Sequence, residues 1–181
     1  GFIKYKLLRQ STGLKNMPVT MAILGTAAIT TLKWADPNRD NLFSSRVAYT
    51  TQLIIGRKFS NGFSLQFSPS WVHRNLVATS PQKNDVIALG FAVRIKLNKR
   101  LSFNAEYIYV LPDQLAEQYT NSLSIGFDIE TGGHVFQLHF TNSTSMIEKG
   151  FITETLGEWG KGEIHFGFNI SRVFTVVKPK S

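Results

Sequence analysis

The 181-residue sequence contains no cysteine, which removes a disulfide framework and any thiolate metal site. It has no apolar run approaching the roughly 20 residues a spanning helix needs, and its mean hydropathy is close to zero. Those features argue against a helical membrane protein. Acidic residues are scarce: 12 Asp and Glu stand against 20 Lys and Arg, a net charge of +8. A basic soluble domain would suggest nucleic acid, but these cations are spread along the chain rather than clustered, and no nucleic-acid partner is expected. Placed beside anionic headgroups or along a lumen, the same cations have a ready use. No secretory signal peptide is visible, and the sequence opens on Gly1-Phe2-Ile3-Lys4-Tyr5, already inside an expected strand.

What is abundant is phenylalanine, 14 residues against 3 Trp and 5 Tyr, and it alternates with small and polar residues. From Glu163 to Phe174, the residues Ile164, Phe166, Phe168, Ile170 and Phe174 fall on one face of a strand. Glu163, His165, Gly167, Asn169 and Ser171 fall on the other. Such a period of two, with an aromatic near the end, resembles the closing strand of an outer-membrane β-barrel. A short tail, Thr175 to Ser181, departs from the usual pattern.

The same alternation predicts eight strands before it. They cover Phe2–Gln10, Val19–Leu32, Arg46–Phe59, the segment from Phe63 through Trp71, Ile87–Leu97, Leu101–Tyr109, Thr120–Thr131 and His134–Asn142. A helix competes for the Ala-rich second segment, but its threonines and the missing 3.6 period favour a strand. Pro69 should cost a ladder hydrogen bond and mark a bulge. Ser60-Asn61-Gly62 and Gly132-Gly133 predict tight hairpins.

The expected connections alternate in length, short at one end and long at the other, with Ser143–Gly162 the longest. Short periplasmic turns and long extracellular loops are the asymmetry of an outer-membrane barrel. Trp34, Trp71 and Trp159 fall at the long-loop end and, with Tyr109, are candidates for an interfacial aromatic girdle. The expected fold is therefore all-β: an antiparallel up-and-down transmembrane barrel over residues 1–174, with residues 175–181 a periplasmic tail. Nine strands with a periplasmic C-terminus put the start of the first strand outside. Even strand counts are the bacterial norm, so the chain is expected to be the C-terminal part of a barrel of 10 or 12 strands.

Several stretches also resemble an uncharacterised outer-membrane barrel family of the Bacteroidota. They are Tyr5 to Gln10, Val72 to Asn75, Asn104 to Tyr107, Gly126 to Asn142, Met146 to Phe151 and Asn169 to Phe174. The resemblance implies a multi-pass barrel in the bacterial outer membrane, longer at its N-terminus, and no particular chemistry.

Candidate functional residues lie on the polar faces of the last strands. A Gly-Gly hairpin would set Glu130 opposite Val135, Asp128 opposite Gln137 and Gly126 opposite His139. His139 and His165 would share the inward face, and one register puts them directly opposite each other. With Glu163 and Asp128 nearby, such a pair could bind a metal or exchange protons, or it could belong to a hydrogen-bonded lumen network. That network, taken as the main expectation, comprises His139, His165, Glu163, Asp128, Gln137, Glu130, Arg94, Lys96 and Glu106; no metal, cofactor or catalytic residue is assigned. Lys58, Arg94 and Lys96 could favour anions in a pore, or pair with Glu106, Asp128 and Glu130 to close the lumen. Ser143 and Ser145 lie near His139, but no acidic orienter has a defined place there for hydrolysis. His73-Arg74-Asn75 suits a strand cap or a headgroup contact. Met146, Ile147, Phe151, Ile152 and Trp159 are apolar for an exposed loop; they could enter the lumen, pack on a neighbour or lie on the membrane.

Three functions follow in order: a structural or interaction component of an envelope assembly, a porin-like passive pore for small solutes or ions, and a barrel-embedded hydrolase. The expected partners are the lipid bilayer, lipopolysaccharide and other outer-membrane or periplasmic proteins.

Overall fold

Alternating side chains that would leave half of every strand greasy need a sheet whose two faces meet different surroundings. The computed structural model of the chain, which describes residues 1–14, 16–34, 37–38, 40–77 and 82–172, is built on one such sheet. Nine antiparallel strands follow one another in chain order: β1 (Phe2–Leu8), β2 (Thr20–Ile29), β3 (Val47–Lys58), β4 (Phe63–Arg74), β5 (Asp85–Lys96), β6 (Leu101–Val110), β7 (Leu123–Thr131), β8 (His134–Thr141) and β9 (His165–Arg172). Each strand pairs with its sequence neighbours. Among the described residues β1 and β9 do not pair, so the sheet is not closed. The central strands β3, β4 and β5 have 12 residues each, enough to cross a hydrocarbon core when tilted. No helix among the described residues is long and apolar enough to cross a membrane.

The two faces divide as the alternation requires. Even-numbered residues of β3 to β6 turn to the concave side, where Thr50, Gln52, Ser68, Ser70, Ala88 and Ser102 are buried. Odd-numbered residues turn outward, and Phe91 remains 50% exposed, Trp71 45% and Tyr49 45%. Phe168 on β9 is 64% exposed. These rings do not converge on a dry centre. A water-soluble sandwich would bury its phenylalanines and expose its serines, the reverse of this arrangement.

Register arranges the outward residues into rows running across the sheet. One row reads Ile55, Phe67, Phe91, Tyr107, Leu123 from β3 to β7. Another reads Phe63, Ile95, Phe103, Phe127, Leu138, Phe168 from β4 to β9. Ring pairs form where neighbours meet, at 5.1 Å between the centroids of Phe67 and Phe91 and 5.6 Å between Phe103 and Phe127. Such cross-strand contacts add to sheet stability beyond the area they bury.

The Ala- and Thr-rich second segment is a strand, paired residue by residue with β3 from Thr20↔Gly56 to Ile29↔Val47. Pro69 makes no bulge. The β3–β4 pairing lacks partners for Leu53 and Ile54, yet resumes in the same register at Ile55↔Phe67. Against β5 the ladder runs unbroken through Pro69↔Leu89. A missing N–H weakens the ladder without inserting a residue; the sheet's irregularity lies instead between Lys6 and Leu8 of β1. Most connections keep their sorting: residues 59–62, 97–100 and 132–133 are tight turns, while 30–46, 111–122 and 142–164 are long; the exception is 9–19, a long connection at the end of the tight turns. The predicted last strand begins two residues late, at His165, and Phe174 with the tail 175–181 lies outside the described residues.

Candidate functional site

The longest connection is not a plain loop. Its residues Glu148–Thr153 form a short helix, α1, which packs on the concave face against β3, β4 and β6. Ile152, 1% exposed, enters an apolar cluster with Val72, Val86, Ala88, Ile108 and Val110, and Phe151 and Leu115 pack beside it. All five partners project inward near the long-loop end of their strands, so α1 fills the interior at that end. Burying one isoleucine contributes about 1.5–3 kcal/mol. The buried hydroxyls cost little, because Thr153 donates to the Lys149 carbonyl at 2.7 Å and Thr155 to that of Phe151 at 2.9 Å. Lys149 and Glu154 form an ion pair across the helix.

Asn142 fastens this plug to the sheet. Its amide donates to the carbonyls of Gly157 at 2.8 Å and Asn121 at 3.0 Å, while its oxygen accepts the Leu123 N–H at 2.8 Å. Thr120 donates to Gly157 as well, at 2.7 Å, and the Trp159 indole donates to the Leu123 carbonyl at 2.9 Å. A Cβ at Gly157 would lie 2.5 Å from the Asn142 carbonyl oxygen and 2.7 Å from that of Glu163, so only glycine fits this crossing. Of the five apolar loop residues, Ile152 and Phe151 thus enter the interior, while Met146 and Ile147 stay exposed.

Beneath the plug lies a cavity of about 930 Å³, whose lining mixes apolar groups with polar side chains of the inward face, among them Gln66, Asn104, Glu106, Ser124 and His139. Toward the short turns it meets a charged cluster. Arg94 reaches Glu130 at 2.9 Å and Asp128 at 3.6 Å and donates to Ser102 at 3.1 Å; Lys96 stands 3.8 Å from Glu130. Gln137 donates to Asp128 at 3.0 Å. Five members of the predicted network are therefore joined: Arg94, Lys96, Asp128, Glu130 and Gln137. Ser102, fully buried, is a sixth that alternation alone did not single out. Glu106 also faces the cavity, but no ion pair or hydrogen bond engages its carboxylate among the described residues.

His139 and His165 line the cavity outside this cluster, and Glu163 lies beyond it. The β7–β8 hairpin has the predicted register, with Glu130↔Val135, Asp128↔Gln137 and Gly126↔His139. On the other side His139 pairs with Gly167 and His165 with Thr141, so the two imidazoles are offset by one inward rung. A tight turn fixes register, but the long 142–164 connection leaves it to packing. Glu163 precedes the strand and accepts the Glu158 N–H at 2.9 Å in the turn that ends the plug. Among the described residues no three His, Asp or Glu side chains converge as metal ligands. No serine hydroxyl bonds a histidine among them either: the Ser143 hydroxyl donates to the Ser145 carbonyl and accepts its N–H, and the Ser145 hydroxyl accepts the Ile147 N–H.

The aromatic candidates divide. Trp71 and Tyr109 face outward near the long-loop end, and Trp71 shares the Asp85 carboxylate with His73, at 2.9 and 2.8 Å. His73 thus stands beside an acid on the outer surface. Its neighbour Arg74 turns inward, is buried, and donates to the Lys83 carbonyl at 2.6 Å. Trp34 stacks under the Arg46 guanidinium at 3.9 Å, and Arg46 in turn holds the Thr30 and Leu32 carbonyls. Trp159 is committed to the plug.

An antiparallel meander with lipid-compatible aromatics outside, small and polar groups inside, and a plugged interior is the architecture of a membrane β-barrel domain. The chain belongs to the membrane bound beta barrel domain family (DUF5777), whose model matches residues 1–174. No curated protein and no solved structure matches it.

Proposed function

We propose that this membrane-bound barrel is an integral outer-membrane protein that serves as a structural or interaction component of an envelope assembly and performs no catalysis. The observation that carries this reading is the seated plug. Ile152 is packed among five inward apolar side chains, and Asn142, Thr120 and Trp159 hold the segment around it. A pore needs a continuous wet path, and an apolar helix across one mouth works against it. The asymmetry of turns and loops supports the outer membrane as the compartment, with lipopolysaccharide and neighbouring envelope proteins as partners.

The cavity behind the plug sustains a second reading, a gated passage for small solutes. Single-channel recording in planar bilayers separates the two. A flat trace from the wild-type protein, with partners co-purifying from detergent-solubilised membranes, is the expected result. Regular conductance steps from the wild-type protein would overturn the structural reading.

A further inference from the structure

The outward face carries a second concavity, of about 460 Å³, backed by the same stretch of sheet as the lumen cavity and lined almost wholly by apolar groups. Its origin is a row of smaller side chains between the two aromatic rows: Arg57, Leu65, Val93 and Ala105 lie opposite one another from β3 to β6. Val93 and Ala105 are too short to reach the level of the neighbouring phenylalanines, so a trough opens across the strands. Phe67, Phe91 and Tyr107 wall it on the long-loop side, and Phe59 closes it at the β3–β4 turn. Three inter-strand steps make it about 14 Å long.

Arg57 stands at the end nearest the short turns. Its guanidinium sits 4.8 Å above the Phe59 ring, a cation–π contact that steadies the charge without neutralising it. No carboxylate engages Arg57 among the described residues. The acids of that rim, Asp128 and Glu130, face the interior and are occupied by Arg94 and Lys96. An outward cation without a counter-ion, at the headgroup level of a membrane barrel, beside an apolar trough, matches one kind of molecule in both charge and shape.

We propose that this trough is a binding site for an acidic glycerophospholipid, with one acyl chain lying over Val93 and Ala105 and the phosphate on Arg57. The inference needs the membrane setting of the family but is independent of whether the lumen conducts. A second copy of the chain is a poorer fit, since its outward faces would bring a like charge to the same rim.

The test is native mass spectrometry of the full chain released from nanodiscs containing equal phosphatidylglycerol and phosphatidylcholine. Wild type should retain a phosphatidylglycerol adduct, favoured about tenfold over phosphatidylcholine, whose choline cation offsets its phosphate and is repelled by Arg57. Ala105→Trp, which fills the trough, should lose the adduct. Arg57→Gln should keep weak binding without headgroup preference. Heat-modifiable migration on gels checks that each variant is folded, and Ala105→Leu replaces the tryptophan variant if that one is not. Equal adduct in the filled variant, unchanged preference in Arg57→Gln, or a wild-type dimer without lipid would each overturn the proposal.

Discussion

The imidazole of His139 lies over the backbone of Gly167 on the neighbouring strand, and a methyl group built on Gly167 would overlap the ring. On its other side His139 pairs with Gly126, so one inward rung reads glycine, histidine, glycine across β7, β8 and β9. The two glycines are not equivalent. A Cβ on Gly126 would meet the Leu138 carbonyl oxygen at 2.6 Å, a backbone atom that cannot rotate away, whereas Gly167 is limited by a side chain.

A pair of double mutants exposes that difference. Gly167→Ala and Gly126→Ala should each destabilise the folded barrel by about 1–3 kcal/mol through overpacking. Adding His139→Ala should restore most of the loss at Gly167 and little at Gly126. Urea unfolding in a lipid or detergent host measures both. Equal rescue at the two positions would contradict the register of β8 against β9.

The legibility of the sequence followed the length of its connections. Gly132-Gly133 leaves β8 one way to return along β7, so the pairing from Ser124 to Thr141 could be read from alternation and turn chemistry alone. Between β8 and β9 lies the whole plug, and nothing in Glu163 to Arg172 distinguishes one even-numbered shift from another, because each keeps the aromatics outside. That is why alternation allows a register with His165 opposite His139, whereas His165 stands opposite Thr141. Helix α1 was hidden for a different reason. It is a six-residue helix without a side-chain N-cap, and only the tertiary partners of Ile152 make it stable. The apolar content of the segment signalled that it was buried somewhere, though not where.

The plug should therefore respond to Ile152 far more than to its exposed neighbour. Ile152→Ala removes contacts with Val72, Val86 and Ile108 and should cost about 2 kcal/mol or more. If opening is local, amide exchange at Glu154, whose N–H bonds the Gly150 carbonyl at 2.8 Å, should quicken roughly thirtyfold. Met146→Ala should leave that amide unchanged, since Met146 is 74% exposed. Similar exchange in the two variants would mean that α1 is held by its hydrogen bonds alone.

The charged cluster near the short turns should contribute modestly. Arg94 is nearly half exposed and Glu130 more than a third, so solvent screens their attraction despite the 2.9 Å contact. A double-mutant cycle of Arg94→Gln and Glu130→Gln should give a coupling of about 0.2–1 kcal/mol, shrinking as salt rises. A coupling several times larger and insensitive to salt would place the pair in a dry interior.

The orientation of the faces is open to a direct comparison. Phe91 and Gln66 occupy the middle portions of adjacent strands, one outward and one lining the cavity. An arginine on the lipid face near mid-depth costs about 2–4 kcal/mol, to which Phe91→Arg adds the lost ring contact with Phe67. Gln66→Arg puts the same charge into the inward cavity with the Glu106 carboxylate on its wall, and should cost less than about 1 kcal/mol. Folding titrations into bilayers of defined composition read the two values side by side. The sign of the difference is decisive, because a sheet that turned its aromatics inward would tolerate arginine at 91 and reject it at 66.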